Sequence, residues 1–351
     1  MNKIFLILLI ILSSCSMQAN DELESRIVDQ LEINNEIQEY DFGKIITPNK
    51  NNFYIDIIPP PKQDYDLKNE KLLGAIIENS TISRSGMKGL SKAKIVYETF
   101  AEGGITRFLA IFDSRTDNIE IGPIRSVRDY FLDWAEEYNL PLIHCGGSDT
   151  AIERLKKTSR VKNIDEFNEY NKENYFIRNK NIARPHNLFS NTEHFFNINN
   201  ENINSKSIFF SANSIELENK NTGLKIDFLS APYNVEYKYD KDKKTYLRFN
   251  GGLKHIDTAN NQQISVDNII LQKVNYEVID DKLRLKIYTK TEGDCVFITH
   301  GTHEECKWKY ENNETSFNLL NDEKIKFNYG NLWIEVIGVN SSYKIIDDIK
   351  N

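Results

Sequence analysis

The apolar residues of this chain arrive mostly in short runs, and run length is what most constrains the fold. LGAII at 73–77, KIVYETF at 94–100 and ITRFLAIF at 105–112 are bounded by polar or glycine-containing segments. Runs of that length read as strands buried in a sheet. Asp117-Asn118 marks a turn, and Ile119-Glu120-Ile121 opens another strand. Ser126-Val127-Arg128-Asp129 reads as a capping box, an acid three residues after a serine. Val127, Tyr130, Phe131, Trp134 and Tyr138 then recur on one helical face. A strand at 140–145 follows, and Gly146-Gly147-Ser148 turns into a second helix through Ala151, Ile152 and Leu155. Residues 71–199 are therefore expected to form a mixed sheet with helices, a sandwich-like α/β layer.

From residue 223 the rhythm changes. Strand-length segments recur between turns at Asp240-Lys241-Asp242, Asn250-Gly251-Gly252, Asp280-Asp281, Glu311-Asn312-Asn313 and Tyr329-Gly330, with no long helical pattern. The expected class is α+β: an N-terminal mixed α/β domain at 71–199, an Asn-rich linker at 200–222 and a mostly β domain at 223–340. A length of 351 residues accommodates two such domains.

The N-terminus reads as an address. Lys3 precedes an apolar run at 4–12 that is too short to span a bilayer, which takes about 20 apolar residues. A basic flank, a short apolar core and small residues make a secretory signal. Leu12-Ser13-Ser14-Cys15 resembles the lipobox of bacterial lipoproteins, which implies cleavage of 1–14 and acylation, with palmitate among the chains, at Cys15. Residues 15–70, with Pro59-Pro60-Pro61, read as a tether. The expected location is extracytoplasmic and lipid-anchored, with the membrane as one partner and a cell-wall or envelope protein as another. With 44 basic against 52 acidic residues, nucleic acid is not an expected partner.

Cys295 and Cys306 flank a strand and a turn at His300-Gly301. A hairpin with that turn sets Cys295 opposite Cys306, where an exported protein can form a disulfide. Unpaired thiols, or a metal site with His300 and His303, are the alternatives, although the spacing does not match a zinc knuckle. Cys145 reads as a buried structural thiol.

Three arginines crowd the first region. Arg107 lies in a strand, and Arg125 and Arg128 bracket Ser126 at a helix start. Arg128 in a first turn opposes the helix dipole, so either a bound anion or a carboxylate such as Glu102, Asp129 or Asp133 should accompany it. Glu98 shares a strand face with Val96 and Phe100, where it either pairs with Arg107 or carries a raised pKa. Glu102, His144, Ser148 and His186 complete the candidate ligand-binding set. Ser148 reads as a helix cap before it reads as a nucleophile. His144 and Cys145 point to opposite faces and make a poor dyad. In the second region Arg248, His255 and Asp257 surround Gly251-Gly252, as ligand groups or as a hydrogen-bonded loop. No metal site or cofactor is expected from these patterns.

Residues 76–114, 121–151, 184–191, 246–272 and 330–338, among them IGPIRSVRDYFLDW and YLRFNGGLKHIDTANN, resemble the YerB-like lipoproteins, a bacterial family with two domains of unknown function. Glu98, Glu102, Thr106, Arg107, Arg125, Ser126, Arg128, His186 and Asn187 match its pattern. Cys145 and the Cys295–Cys306 hairpin depart from it. The resemblance implies a surface lipoprotein and no established activity. A fainter similarity joins Ile124-Arg125-Ser126-Val127-Arg128-Asp129 and the later Gly-Gly to the LytR–CpsA–Psr phosphotransferases. That likeness implies transfer from a polyprenyl-pyrophosphate carrier, with Arg107, Arg125 and Arg128 as a clamp and Mg²⁺ on Asp129 or Glu102. The first expectation is a non-enzymatic envelope lipoprotein that binds an anionic ligand. The phosphotransferase is the second, and a pure assembly surface is the third.

Overall fold

The computed structural model describes residues 63–346 except 69, 117, 169–174, 197–203, 205, 213–220 and 282. The expected signal at 1–14, Cys15 and all but the last residues of the expected tether lie outside the described residues.

The first region supplies strands β1 (Leu72–Glu78), β2 (Ile95–Phe100), β3 (Thr106–Asp113), β4 (Pro141–His144) and β5 (Lys162–Asp165). In the second region β6 (Gly223–Ile226), β7 (Val235–Asp240) and β8 (Thr245–Asn250) form an antiparallel sheet. Then β9 (Asn268–Val274), β10 (Glu292–Thr299), β11 (Thr302–Glu311), β12 (Glu314–Leu319) and β13 (Leu332–Gly338) follow, and β14 (Tyr343–Ile346) pairs with β6. One ten-stranded sheet runs β12-β11-β10-β9-β13-β2-β3-β1-β4-β5. It joins both regions where β13 lies parallel to β2, in register from Leu332 opposite Ile95 to Glu335 opposite Glu98.

The molecule is thus mostly β with few helices, and the two textures seen in the sequence do not correspond to two separate cores. Strands such as β2 and β13 are buried along their whole length, so each needs a neighbour on both edges and cover on both faces. The 200–222 segment is more than a linker. Its Phe209–Ser211 strand pairs with Tyr65–Asp66 on one side and Phe327–Asn328 on the other, and Lys206 is buried against Glu137.

Helices α1 (Asp129–Glu137) and α2 (Asp149–Leu155) follow strands β3 and β4. Tyr97 on β2 stacks on Trp134 of α1 at 4.6 Å between ring centres, and its hydroxyl lies 3.0 Å from that of Tyr138. The helix starts at Asp129, later than the capping-box reading places it. Arg128 precedes it in extended conformation (φ −128°, ψ 159°). Ser126 cannot cap, because Val127 is bridged to Gly147 and the Ser126 hydroxyl donates to Cys145 O at 2.9 Å.

Strand alternation sends Glu98 to the face opposite Tyr97, against the second sheet. There it accepts hydrogen bonds from Asn79 Nδ2 (3.0 Å), Thr106 Oγ1 (2.6 Å) and Arg248 Nη2. Arg248 also donates through Nε to Tyr237 OH (3.1 Å), contacts His255 Nδ1, and lies 4.8 Å from the Trp333 ring. The expected Glu98–Arg107 pair does not form, since Arg107 stands opposite Thr99 and faces the helices. Arg248 and His255 are core residues, not ligand groups. Asp257 accepts from the backbone N–H of Gly89 (2.9 Å), Ser91 (2.8 Å) and Ala259 (2.9 Å), which pins a loop.

The hairpin β10–β11 turns at His300-Gly301, both with positive φ, and Cys295 stands opposite Cys306 with the two sulfurs bonded.

Removing one partner of a buried ion pair strands the other, at a cost of about 3–5 kcal/mol. Arg248→Ala is therefore expected to lower the unfolding free energy by that amount in urea titration, and an unchanged midpoint would show the pair to be dispensable. Burial, and then the adjacent Glu98 carboxylate, push the Glu335 carboxyl well above its ordinary value. A raised acid binds its proton more tightly in the folded state. Its favourable contribution is complete below the unfolded value of about 4.3 and is lost as pH climbs toward the folded value. Glu335→Gln should flatten the fall in stability above about pH 5, as read by thermal unfolding across a pH series.

Candidate functional site

The carboxyl ends of the parallel strands β1, β4 and β5 share one edge of the sheet with the start of antiparallel β3. Ligand sites in open α/β sheets gather at such an edge. Glu78, the last residue of β1, stands opposite Arg107, the second residue of β3. Segment 124–128 runs beside them, tied by Arg125 N to Ile76 O at 2.9 Å.

Arg107, Arg125 and Arg128 come together here with two carboxylates between them. Arg107 donates through Nη1 to Ser126 O (2.7 Å), and its Nη2 lies 4.0 Å from Glu102 Oε2. Arg128 bonds the other Glu102 oxygen and its own Val127 O (2.8 Å). This is the carboxylate that lets a cation stand at the start of α1. Arg125 Nε is 3.6 Å from Glu78 Oε1, and its Nη1 donates to Pro185 O at 3.3 Å. Among the described residues the buried Nε atoms of Arg107 and Arg125 make no hydrogen bond, Arg125 Nε meeting Glu78 as an ion pair only. Burial, then the neighbouring Arg128 charge, pull Arg107 down to about 10. Burial pushes Glu102 upward, but the bond to Arg128 and the charges of Arg128 and Arg107 outweigh it and hold the carboxyl low.

His186 joins the cluster through Glu78, whose two oxygens each lie 2.9 Å from its Nδ1. The other candidates do not join as ligand groups. Ser126 contributes its carbonyl to Arg107. Ser148 caps α2, its hydroxyl accepting from Ala151 N at 3.3 Å. His144 is fully buried, with Nδ1 2.9 Å from Gly146 O and Nε2 2.7 Å from Asn163 Oδ1. Glu98 lies on the opposite face. Sequence reasoning missed Glu78, although a carboxylate ending an apolar strand at the sheet edge was a readable signal. It also missed Glu166 and Arg178, which pair with each other beside Cys145.

Mg²⁺ takes a small set of oxygen ligands in near-octahedral geometry. Among the described residues no three His, Cys, Asp or Glu side chains gather into such a cradle. Glu102 is engaged by arginines, and Asp129 accepts from Ser148 (3.4 Å) and Thr150. The donor set does not fit the Mg²⁺ site of the phosphotransferase reading.

A ten-stranded sheet shared by an α/β half and a β half, with basic groups at one edge, defines a two-part, β-rich protein class. The first half matches the family model "Protein of unknown function (DUF3048) N-terminal domain" over residues 60–205, and the second matches the corresponding "C-terminal domain" over 224–334. The chain is 26% identical over 274 residues to "Putative lipoprotein YerB" of Bacillus subtilis, covering 75% of this chain and 80% of that protein. It superposes on the crystal structure of YerB from Bacillus subtilis with a TM-score of 0.67 at 24% identity, over 79% of this chain and 95% of the other, which shows a shared fold. The chain belongs to the YerB-like family. None of these matches supports the LytR–CpsA–Psr likeness.

Burial and the bond to Glu166 push the Cys145 thiol up to about 12. Since the thiolate is the reactive form, iodoacetamide at pH 8 should label folded Cys145 more than about 100-fold slower than the unfolded chain. Mass spectrometry of the labelled peptide reads this, and equal rates would refute the shielding.

Proposed function

We propose that this protein is an extracytoplasmic lipoprotein, anchored through acyl chains on Cys15, whose folded body recognises an anionic group at the Arg107–Arg125–Arg128 edge. The observation that carries this is the imbalance there: three guanidinium groups share two carboxylates, and the side chains of Arg125 and Arg128 keep 22% and 19% of their surface exposed. The guanidinium charge left over favours an anion, whose oxygens accept charge-assisted hydrogen bonds from the partly exposed arginines. The net charge of −8 makes this edge a positive exception on an acidic molecule. The name of the Bacillus subtilis relative supports the lipid anchor. The Cys295–Cys306 disulfide suits an oxidising compartment.

Two measurements test the reading. Cys15→Ala should abolish palmitate incorporation and move the protein from the membrane to the soluble fraction; retention on the membrane would refute the anchor. Titration with inorganic phosphate and pyrophosphate should show binding that Arg125→Ala weakens about 10-fold or more, the worth of a charge-assisted hydrogen bond. Affinity unchanged from the unsubstituted protein in both Arg125→Ala and Arg128→Ala would refute anion recognition at this edge.

A further inference from the structure

Glu78 and His186 have the arrangement of a carboxylate–imidazole dyad. The carboxylate is 5% exposed, held between Arg125 on one side and His186 on the other. Both carboxylate oxygens face Nδ1, which leaves Nε2 at the opposite edge of the ring. No described residue hydrogen-bonds Nε2, and the side chain retains 16% exposure. The loop that carries it is fixed, with His186 N donating to Ala183 O (3.0 Å) and Asn187 Nδ2 to Asn179 O (3.1 Å). Ser80 Oγ lies 3.4 Å from the same Nδ1 that Glu78 holds, so Ser80 is not aligned as a nucleophile on the free nitrogen. Arg125 touches both Glu78 and Pro185, the residue before His186, which sets a guanidinium beside the imidazole.

We infer that His186, oriented by Glu78, is the general base of a phosphodiester hydrolysis carried out on a group held by Arg107, Arg125 and Arg128. The inference rests on the anion-recognition reading above and names its substrate class. The three guanidinium groups, less Glu78 and Glu102, leave one positive charge, which matches the single negative charge of a diester better than the double charge of a monoester. As water oxygen bonds to phosphorus, Nε2 takes the water proton. The bond from phosphorus to the leaving oxygen breaks on the far side, the departing alkoxide takes a proton from solvent water, and the imidazolium gives its proton back to solvent. The products are a phosphomonoester and an alcohol, with water the only co-reactant. Glu78 positions the ring and stabilises the imidazolium, as the carboxylate of a catalytic triad does. The arginines stabilise the charge that gathers on the phosphoryl oxygens.

The test uses the full chain with bis(p-nitrophenyl) phosphate, and p-nitrophenyl phosphate as the monoester comparison. The diester is expected to release nitrophenolate faster than the monoester. His186→Ala should lower kcat about 100-fold or more with phosphate affinity retained, and added imidazole should restore part of the rate. Glu78→Gln should lower kcat with little change in KM, whereas Arg125→Ala should raise KM. His186→Asn serves in place of His186→Ala should the smaller side chain unfold the loop. Binding of phosphate without diester turnover would overturn the inference and leave the recognition reading intact. Absence of both would overturn the two together, and turnover undiminished in both His186 variants would overturn the role of His186.

Discussion

The rest of the structure depends on one buried arginine. Arg248 reaches from the second sheet into the large one, where Glu98 and, through Tyr237, Glu335 meet it on adjacent strands. Those carboxylates stand side by side in the parallel β13–β2 pair, the seam between the two halves of the chain. Two ionised carboxylates at that spacing, away from water, would repel; a guanidinium and a proton on Glu335 remove the conflict. Burial pulls Arg248 down, but Glu98 foremost, with Tyr237 and Glu335, keeps its pKa above the ordinary value. The interaction ties together strands that no local signal could pair, and its specificity lies in geometry more than in energy.

The opposite face of the same sheet works differently. Arg107 and Glu78 also stand opposite one another, yet neither is sealed by a second sheet. Their partners come from segments 101–104, 124–128 and 184–187, which arrive at the sheet edge from different parts of the chain. The cluster therefore keeps the guanidinium groups of Arg125 and Arg128 partly exposed, whereas the Arg248 centre keeps none. One polar cluster fixes the fold, and the other is free to meet a ligand.

The strands were legible because their apolar runs are short and well bounded, and the His300-Gly301 turn was legible because a two-residue hairpin fixes register. That register alone set Cys295 opposite Cys306, while their bond stood beside free thiols and a metal site as alternatives. Helix α1 was legible from Tyr130, Phe131 and Trp134, but its start was misplaced because tertiary bridging at Val127 overrides the capping box. The joined core was not legible. Local pattern shows that β13 is buried on both faces but not that its neighbour lies more than 200 residues earlier. For the same reason Glu98 was assigned to Arg107, close in sequence, when its partner is Arg248. The arginine cluster could be anticipated because its members lie near one another in sequence, while Glu78 stayed hidden at the end of a core strand.

The seam between β2 and β13 bears on how the chain is made. Strand Ile95–Phe100 leaves the ribosome early, and the strand that covers its open edge ends at Gly338. Until then that edge stays open, a template for wrong pairing. The first half cannot pair that edge by itself, so the large sheet closes only once Leu332–Gly338 is available.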